Sequence, residues 1–225
     1  MNIQQNLSVI QSNISEACKK KNRKPEDVKI IAVTKYVSTE TAEDAVKSGV
    51  EHIGENRPEG LKEKYEVLGD DVTWHFIGSL QSRKVKEILP YVDYIHSLDR
   101  LSLAKEIDKR ADRVINCFVQ VNVSGEETKH GMLAEKTLSF VDNMKEFPNI
   151  RIVGLMTMAP HSEDEETLRS VFSTLKQLQN DIQSKHYEFA PCTELSMGMS
   201  NDYEIAVQEG ATFVRIGTSL VGKEF

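Results

Sequence analysis

The chain has 225 residues and a formal net charge of −7, which leaves no global basic field to draw in nucleic acid or an anionic membrane. Its 39% apolar and 28% charged residues are globular proportions, and the length suits one large core such as a single α/β barrel. Cys18, Cys117 and Cys192 lie far apart with no C-x-x-C pair, which argues against a disulfide scaffold or zinc knuckle and for buried thiols in a reducing cytosol.

The N-terminal stretch is polar, with Ile3, Leu7, Ile10, Ile14 and Ala17 at helical spacing. This predicts a leading helix over residues 3–20 and no signal peptide. No apolar run approaches the roughly 18 residues that span a bilayer, so a cytoplasmic protein without membrane contact is expected. KIIAVTK (29–35) is the first strand candidate, and STETAEDAVKSG follows as a helix with Ser38 or Thr39 as N-cap and Gly49 as its stop. HIGEN (52–56) is the second strand. The RPEG that follows (57–60) is an unusual helix start, although Pro58 suits a first turn. WHFIG (74–78) precedes a helix that starts at Ser79 and ends before Pro90, and YIHSL (94–98) precedes one capped by Asp99. INCFVQVNV (115–123) leads to a helix that stops at Pro148. RIVGLMTMA (151–159) leads to a long helix whose acids at 163–166 suit its positive end. ELSMG (194–198) runs into a helix from Ser200 to Gly210, and FVRIG (213–217) closes the series.

Several of these strands are apolar throughout, as strands covered on both faces are. Eight strand–helix alternations without a linker predict one domain over residues 1–225: a (β/α)8 TIM-type barrel with an extra N-terminal helix. An open doubly wound sheet is the alternative.

In a parallel barrel, functional groups gather at the C-terminal strand ends. Ile31, Val33 and Lys35 share one face of the first strand, which projects Lys35 into the mouth. Apolar walls favour the neutral form of an amine, which is a nucleophile toward aldehydes; a lysine snorkelling to water is the plainer reading. Phosphate in such barrels is often held after strands seven and eight. Here those strands run into SMGMSND (196–202) and RIGTS (215–219). Gly198 and Gly217 allow close backbone approach to an anion, Ser196, Ser200 and Thr218 offer hydroxyls, and Arg215 adds a fixed charge. Ser200 is also placed to cap the next helix. A lysine and a phosphate cradle in one mouth suggest pyridoxal 5′-phosphate, but a phosphosugar aldolase needs the same two parts. Asn56 at the second strand end either touches the ring hydroxyl or caps a helix. His75 faces opposite Trp74 and Phe76 and is a candidate ligand contact, as are His96 and Met156. No metal motif, P-loop, dinucleotide fingerprint or G-x-S-x-G elbow occurs.

The blocks VTK (33–35), GEN (54–56), WHFIGSLQSRK (74–84), HSLDR (96–100), LSMGMSNDYEIAV (195–207) and VRIGTSLVG (214–222) together resemble the pyridoxal phosphate homeostasis protein family, also called proline synthetase co-transcribed proteins. The resemblance spans most of the chain in order. It implies a barrel similar to the N-terminal domain of alanine racemase and an internal aldimine between the cofactor and Lys35. It implies a phosphate site at Ser196, Gly198, Ser200, Gly217 and Thr218, with Arg215 facing the pyridine nitrogen. It also implies a role in intracellular cofactor homeostasis without established turnover, with the cofactor itself and apo forms of the enzymes that use it as partners. A racemase-type enzyme is the second reading. It would need an acid/base on each face of the substrate, and relatives take theirs from a second domain; sequence does not place Tyr36 or Tyr203 as substitutes. A monomer is expected.

Overall fold

The computed structural model describes residues 2–126 and 130–225. Among them are nine strands: β1 (Lys29–Val33), β2 (His52–Glu55), β3 (Thr73–Phe76), β4 (Tyr94–Leu98), β5 (Ile115–Asn122), β6 (Met132–Leu133), β7 (Ile150–Met156), β8 (Glu194–Met199) and β9 (Phe213–Ile216). All pair in parallel, in the order β4-β3-β2-β1-β9-β8-β7-β5-β6, and a further β4–β5 pairing joins the ends. Eight strands therefore close into a TIM-type barrel. The ninth, β6, is a two-residue addition that pairs with β5 through Val121↔Met132. So short a segment carries no periodic signal, and the sequence reading did not include it.

The helices are α1 (Ile3–Lys19), α2 (Thr39–Lys47), α3 (Pro58–Leu68), α4 (Val85–Ile88), α5 (Leu101–Arg110), α6 (Thr137–Asn143), α7 (Glu165–Gln183), α8 (Tyr203–Gln208) and α9 (Thr218–Val221). Caps set several of their starts. Ser38 Oγ accepts from Thr41 N at 3.2 Å, and an Asp164 carboxylate oxygen accepts from Thr167 N at 3.1 Å. Pro58 occupies the first turn of α3, where its missing N–H costs nothing.

Three starts differ from expectation. Residues 79–81 are not helical: Arg100 Nη2 donates to Leu80 O at 2.8 Å, and a 3₁₀ turn at Ser82–Lys84 precedes α4. Arg100, not Asp99, is the N-cap residue of α5, because the Asp99 carboxylate is taken by the Arg100 guanidinium at 2.7 Å. Asp202 rather than Ser200 stands at the N-cap of α8, and its carboxylate accepts from Met199 N at 2.6 Å, which folds 199–202 into a turn.

Alternation along each strand sorts side chains into two layers. Trp74, Phe76, Val214 and Ile216 point outward to the helices, and Ile31, Phe118, Val153, Met156 and Phe213 plug the interior. The N-terminal helix belongs to the outer layer. It buries Ile3, Leu7, Ile10, Ile14 and Ala17, each large aliphatic contributing about 1.5–3 kcal/mol. It packs against α8, α9 and α2. Since α9 is a single turn, α1 gives the cover that a full eighth helix would otherwise provide. Among the described residues no helix is long and apolar enough to cross a membrane.

Candidate functional site

β1 ends at Val33, so Lys35 lies two residues beyond the strand rather than at its last position. The segment that carries it is tied down from both sides. Thr34 Oγ1 donates to Glu55 Oε1 at 2.5 Å, and Glu55 Oε1 lies 2.9 Å from Lys64 Nζ of α3, with all three residues buried. On the other side, Glu224 N donates to Tyr36 O at 2.9 Å, and the Glu224 carboxylate accepts from Ser38 N at 2.7 Å and from the Thr41 hydroxyl. With its neighbours held, Lys35 turns its half-buried side chain into a cavity of about 430 Å³ at the barrel mouth, alongside Val33. Its Nζ sits 4.7 Å from the Tyr36 ring centroid.

The wall opposite is built by the loops after β8 and β9: Ser200, Asn201, Asp202, Gly217 and Thr218. Ser219 Oγ donates to Ser200 Oγ at 2.9 Å, which links the two loops. Gly217 precedes α9, whose first N–H groups have no intrahelical acceptor. Arg215 reaches the cavity from the barrel interior. It donates from Nη1 to Ser196 Oγ at 2.6 Å and from Nη2 to Thr157 O at 3.0 Å. Burial lowers its pKa to about 10, with Asp202 opposing, so it is a cation at neutral pH. Burial raises the Asp202 carboxyl, opposed by the Met199 N–H and by Arg215.

Lys35, Asn56, Ser200, Arg215, Gly217 and Thr218 thus line one cavity. Asn56 does not cap α3, whose N-cap residue is Arg57. It is held at the mouth because Gly78 lets its backbone come close: a Cβ at 78 would stand 2.3 Å from Asn56 O. Arg57, Glu59 and Gly60 line a neighbouring cleft that shares Lys35 and Asn56 with the cavity.

Five expected contact residues do not line it, among them His96, buried in the barrel interior, and Met156, part of the apolar interior plug. His75 is buried in the barrel interior between His52 and His96. Ser196 lies below the cavity with its hydroxyl engaged by His96 and Arg215. Gly198, at φ 93°, faces the helix layer, where an added Cβ would stand 2.6 Å from Ala206 Cβ and 2.9 Å from Tyr203 Cα. Close strand–helix packing is what that glycine permits. The sequence reading missed Gln120, Met158 and His161, which also line the cavity. Gln120 carried a signal, a polar residue inside an apolar strand on the inward-facing register. β7 ends at Met156 rather than at the expected Ala159, so Met158 and His161 both lie in the loop that follows, and no periodicity points to His161.

A family model described as alanine racemase, N-terminal domain, matches residues 5–224. A pyridoxal phosphate homeostasis protein of Aquifex aeolicus is 41% identical over 227 residues, 99% of this chain and 99% of that protein. The chain belongs to the pyridoxal phosphate homeostasis protein family. PipY of Synechococcus elongatus PCC7942, solved with PLP bound, matches at a TM-score of 0.86 and 30% identity, covering 98% of this chain and 100% of PipY. An alanine racemase of Clostridium difficile 630 matches at a TM-score of 0.76 and 17% identity, covering 97% of this chain and 56% of the racemase. With the racemase, this family member shares the barrel fold alone.

Proposed function

We propose that this protein binds pyridoxal 5′-phosphate in the mouth cavity and acts in cofactor homeostasis as a carrier or regulator rather than as an enzyme. The observation that carries this reading is the convergence on one cavity of the Lys35 amine, the hydroxyl- and glycine-bearing loops opposite it, and the buried cation of Arg215. The donor set fits the group. When bound, the cofactor supplies an aldehyde that condenses with an amine, a phosphate dianion and an electron-withdrawing ring. Lys35 is the amine within the cavity. Ser200, Thr218 and the backbone around Gly217 would hold the phosphate, by hydroxyls and by unpaired first-turn N–H groups. Arg215 would face the ring nitrogen and Asn56 the ring hydroxyl. Ser196, Gly198 and His75 would serve from behind, through Arg215 and the packing of α8.

Two features bear on what turnover the site could support. An arginine beside the ring nitrogen stays cationic and cannot stabilise a protonated ring as a carboxylate would, so the ring is a weak electron sink. Racemisation also needs an acid/base on each face of the substrate. Tyr36 lies on the lysine side, with its ring between Lys35 and Lys223, and the Tyr203 hydroxyl accepts from Asn13 Nδ2 at 2.9 Å in the outer layer. The same reading has a single-domain monomer acting in the cytoplasm, with apo enzymes as recipients of the cofactor.

The test is a visible spectrum of the protein with added cofactor, before and after borohydride, followed by peptide mapping. Wild type should show bound-cofactor absorbance and a pyridoxyl adduct on Lys35. Lys35→Ala should lose both while keeping its far-UV circular dichroism. An unmodified Lys35 peptide at saturating cofactor overturns the binding reading. Rapid α-proton exchange on single-enantiomer alanine overturns the non-catalytic one.

A further inference from the structure

A column of hydrogen-bonded side chains runs through the barrel interior to the cavity. His52 Nδ1 lies 3.1 Å from His75 Nε2, and His75 Nδ1 lies 2.9 Å from His96 Nε2. His96 Nδ1 lies 2.9 Å from Ser196 Oγ, which accepts from Arg215 Nη1 at 2.6 Å. β2, β3, β4, β8 and β9 each contribute one member. His75, His96, Ser196 and Arg215 are buried, whereas His52 is half-buried beside a cleft at the opposite end of the barrel. Tyr94 stacks on His75 with centroids 4.7 Å apart, and Phe118 stacks on His96 at 4.3 Å, which fixes both ring planes.

Counting protons gives the column a direction. Arginine only donates, so the Ser196 hydroxyl proton must go elsewhere. Among the described residues the other partner of Ser196 Oγ is His96 Nδ1. His96 then carries its proton on Nε2 and donates to His75 Nδ1, and His75 likewise donates from Nε2 to His52 Nδ1. The reverse set of tautomers traps a hydroxyl proton between two donors, at a cost of about 1–3 kcal/mol.

We propose that His96 is a positioning residue for Arg215: it accepts the Ser196 hydroxyl proton, turns the serine lone pairs onto the guanidinium and so fixes the cation beneath the cavity. His75 and His52 hold His96 in the one tautomer able to do this. The surroundings keep the imidazoles neutral. Burial is the main cause; His96, His52 and Lys29 oppose a proton on His75, Lys29 opposes one on His52, and Arg215 opposes one on His96. Glu51 and Asp93 favour a proton on His52 alone, and Asp202 balances Arg215.

The test uses the full chain labelled with nitrogen-15, first without cofactor. Neutral Nε2–H imidazoles at 75 and 96 and a slowly exchanging Arg215 guanidinium signal are expected. His96→Gln puts an amide nitrogen near the Nε2 position and removes the acceptor for Ser196, whereas His96→Asn puts an oxygen near Nδ1. The Arg215 signal should vanish in His96→Gln and in Ser196→Ala and persist in His96→Asn. The second readout rests on the proposed cofactor site: retention of pyridoxal phosphate should weaken about tenfold in His96→Gln and stay within about twofold in His96→Asn. Ser196→Ala makes the same comparison should His96→Gln not fold. A charged or Nδ1–H His96 overturns the inference, as does an intact Arg215 signal in both His96→Gln and Ser196→Ala. A protein that never takes up cofactor leaves the nuclear magnetic resonance result decisive by itself and counts against the cofactor reading alone.

Discussion

Gly198 illustrates how far single residues can be read. Its place near the C-terminal end of a strand marked a close approach, and the structure supplies one on the side of α8. Alanine at 198 would meet both the left-handed backbone penalty and the overlap with Ala206. Gly198→Ala should therefore destabilise the fold by about 2–4 kcal/mol in urea denaturation; a loss under about 1 kcal/mol would show that α8 simply moves aside. That Lys35 and Arg215 reach the cavity was legible because a charge at or near the end of an apolar strand needs a reason. His75 and His96 were not, since what they touch depends on strands far away in sequence. The cysteines follow their dispersed spacing: all three are buried, and burial raises each thiol, Cys192 to about 12.

At the level of elements, the strands were the most legible, because burial on both faces writes near-continuous apolar runs. Helices with a side-chain cap, such as α2 and α7, began where expected. Those starting near 79, 99 and 200 did not, because Arg100 and Asp202 redirect the chain through bonds that periodicity does not encode. The join between β1, β2 and α3 rests on Thr34, Glu55 and Lys64. Removing one partner leaves a buried charge, so Lys64→Met should cost about 3–5 kcal/mol and loosen the segment bearing Lys35. Equilibrium denaturation measures the first effect and amide hydrogen exchange over residues 34–38 the second. Wild-type protection there, with unchanged stability, would mean that Glu55 finds another donor.

For the molecule as a whole, the eightfold alternation revealed the closed barrel, while the polar column inside it required knowing the register of five strands. That column makes the fold acid-sensitive. The folded-state pKa values of His75 and His96 are held well below the ordinary 6.5, first by burial, so the unfolded chain binds protons that the folded one refuses. Their contribution to stability is complete above pH 6.5. It falls with acidification by about 1.4 kcal/mol per pH unit for each ring, until the folded-state values are reached. Urea midpoints at pH 7.5 and 5.5 should show the loss; equal midpoints would mean that the rings are protonated in the native state.

The ring of strands is sealed by β1 pairing with β9, as in Ile31↔Arg215. During translation, the segment bearing Lys35 leaves the ribosome early and the β9 loop that faces it leaves late. A nascent chain therefore has half of the cavity wall for most of its synthesis, with β1 presenting an unpaired edge. On the proposed function, ligand capture must wait until β9 has docked, which would make it a readout of completed folding.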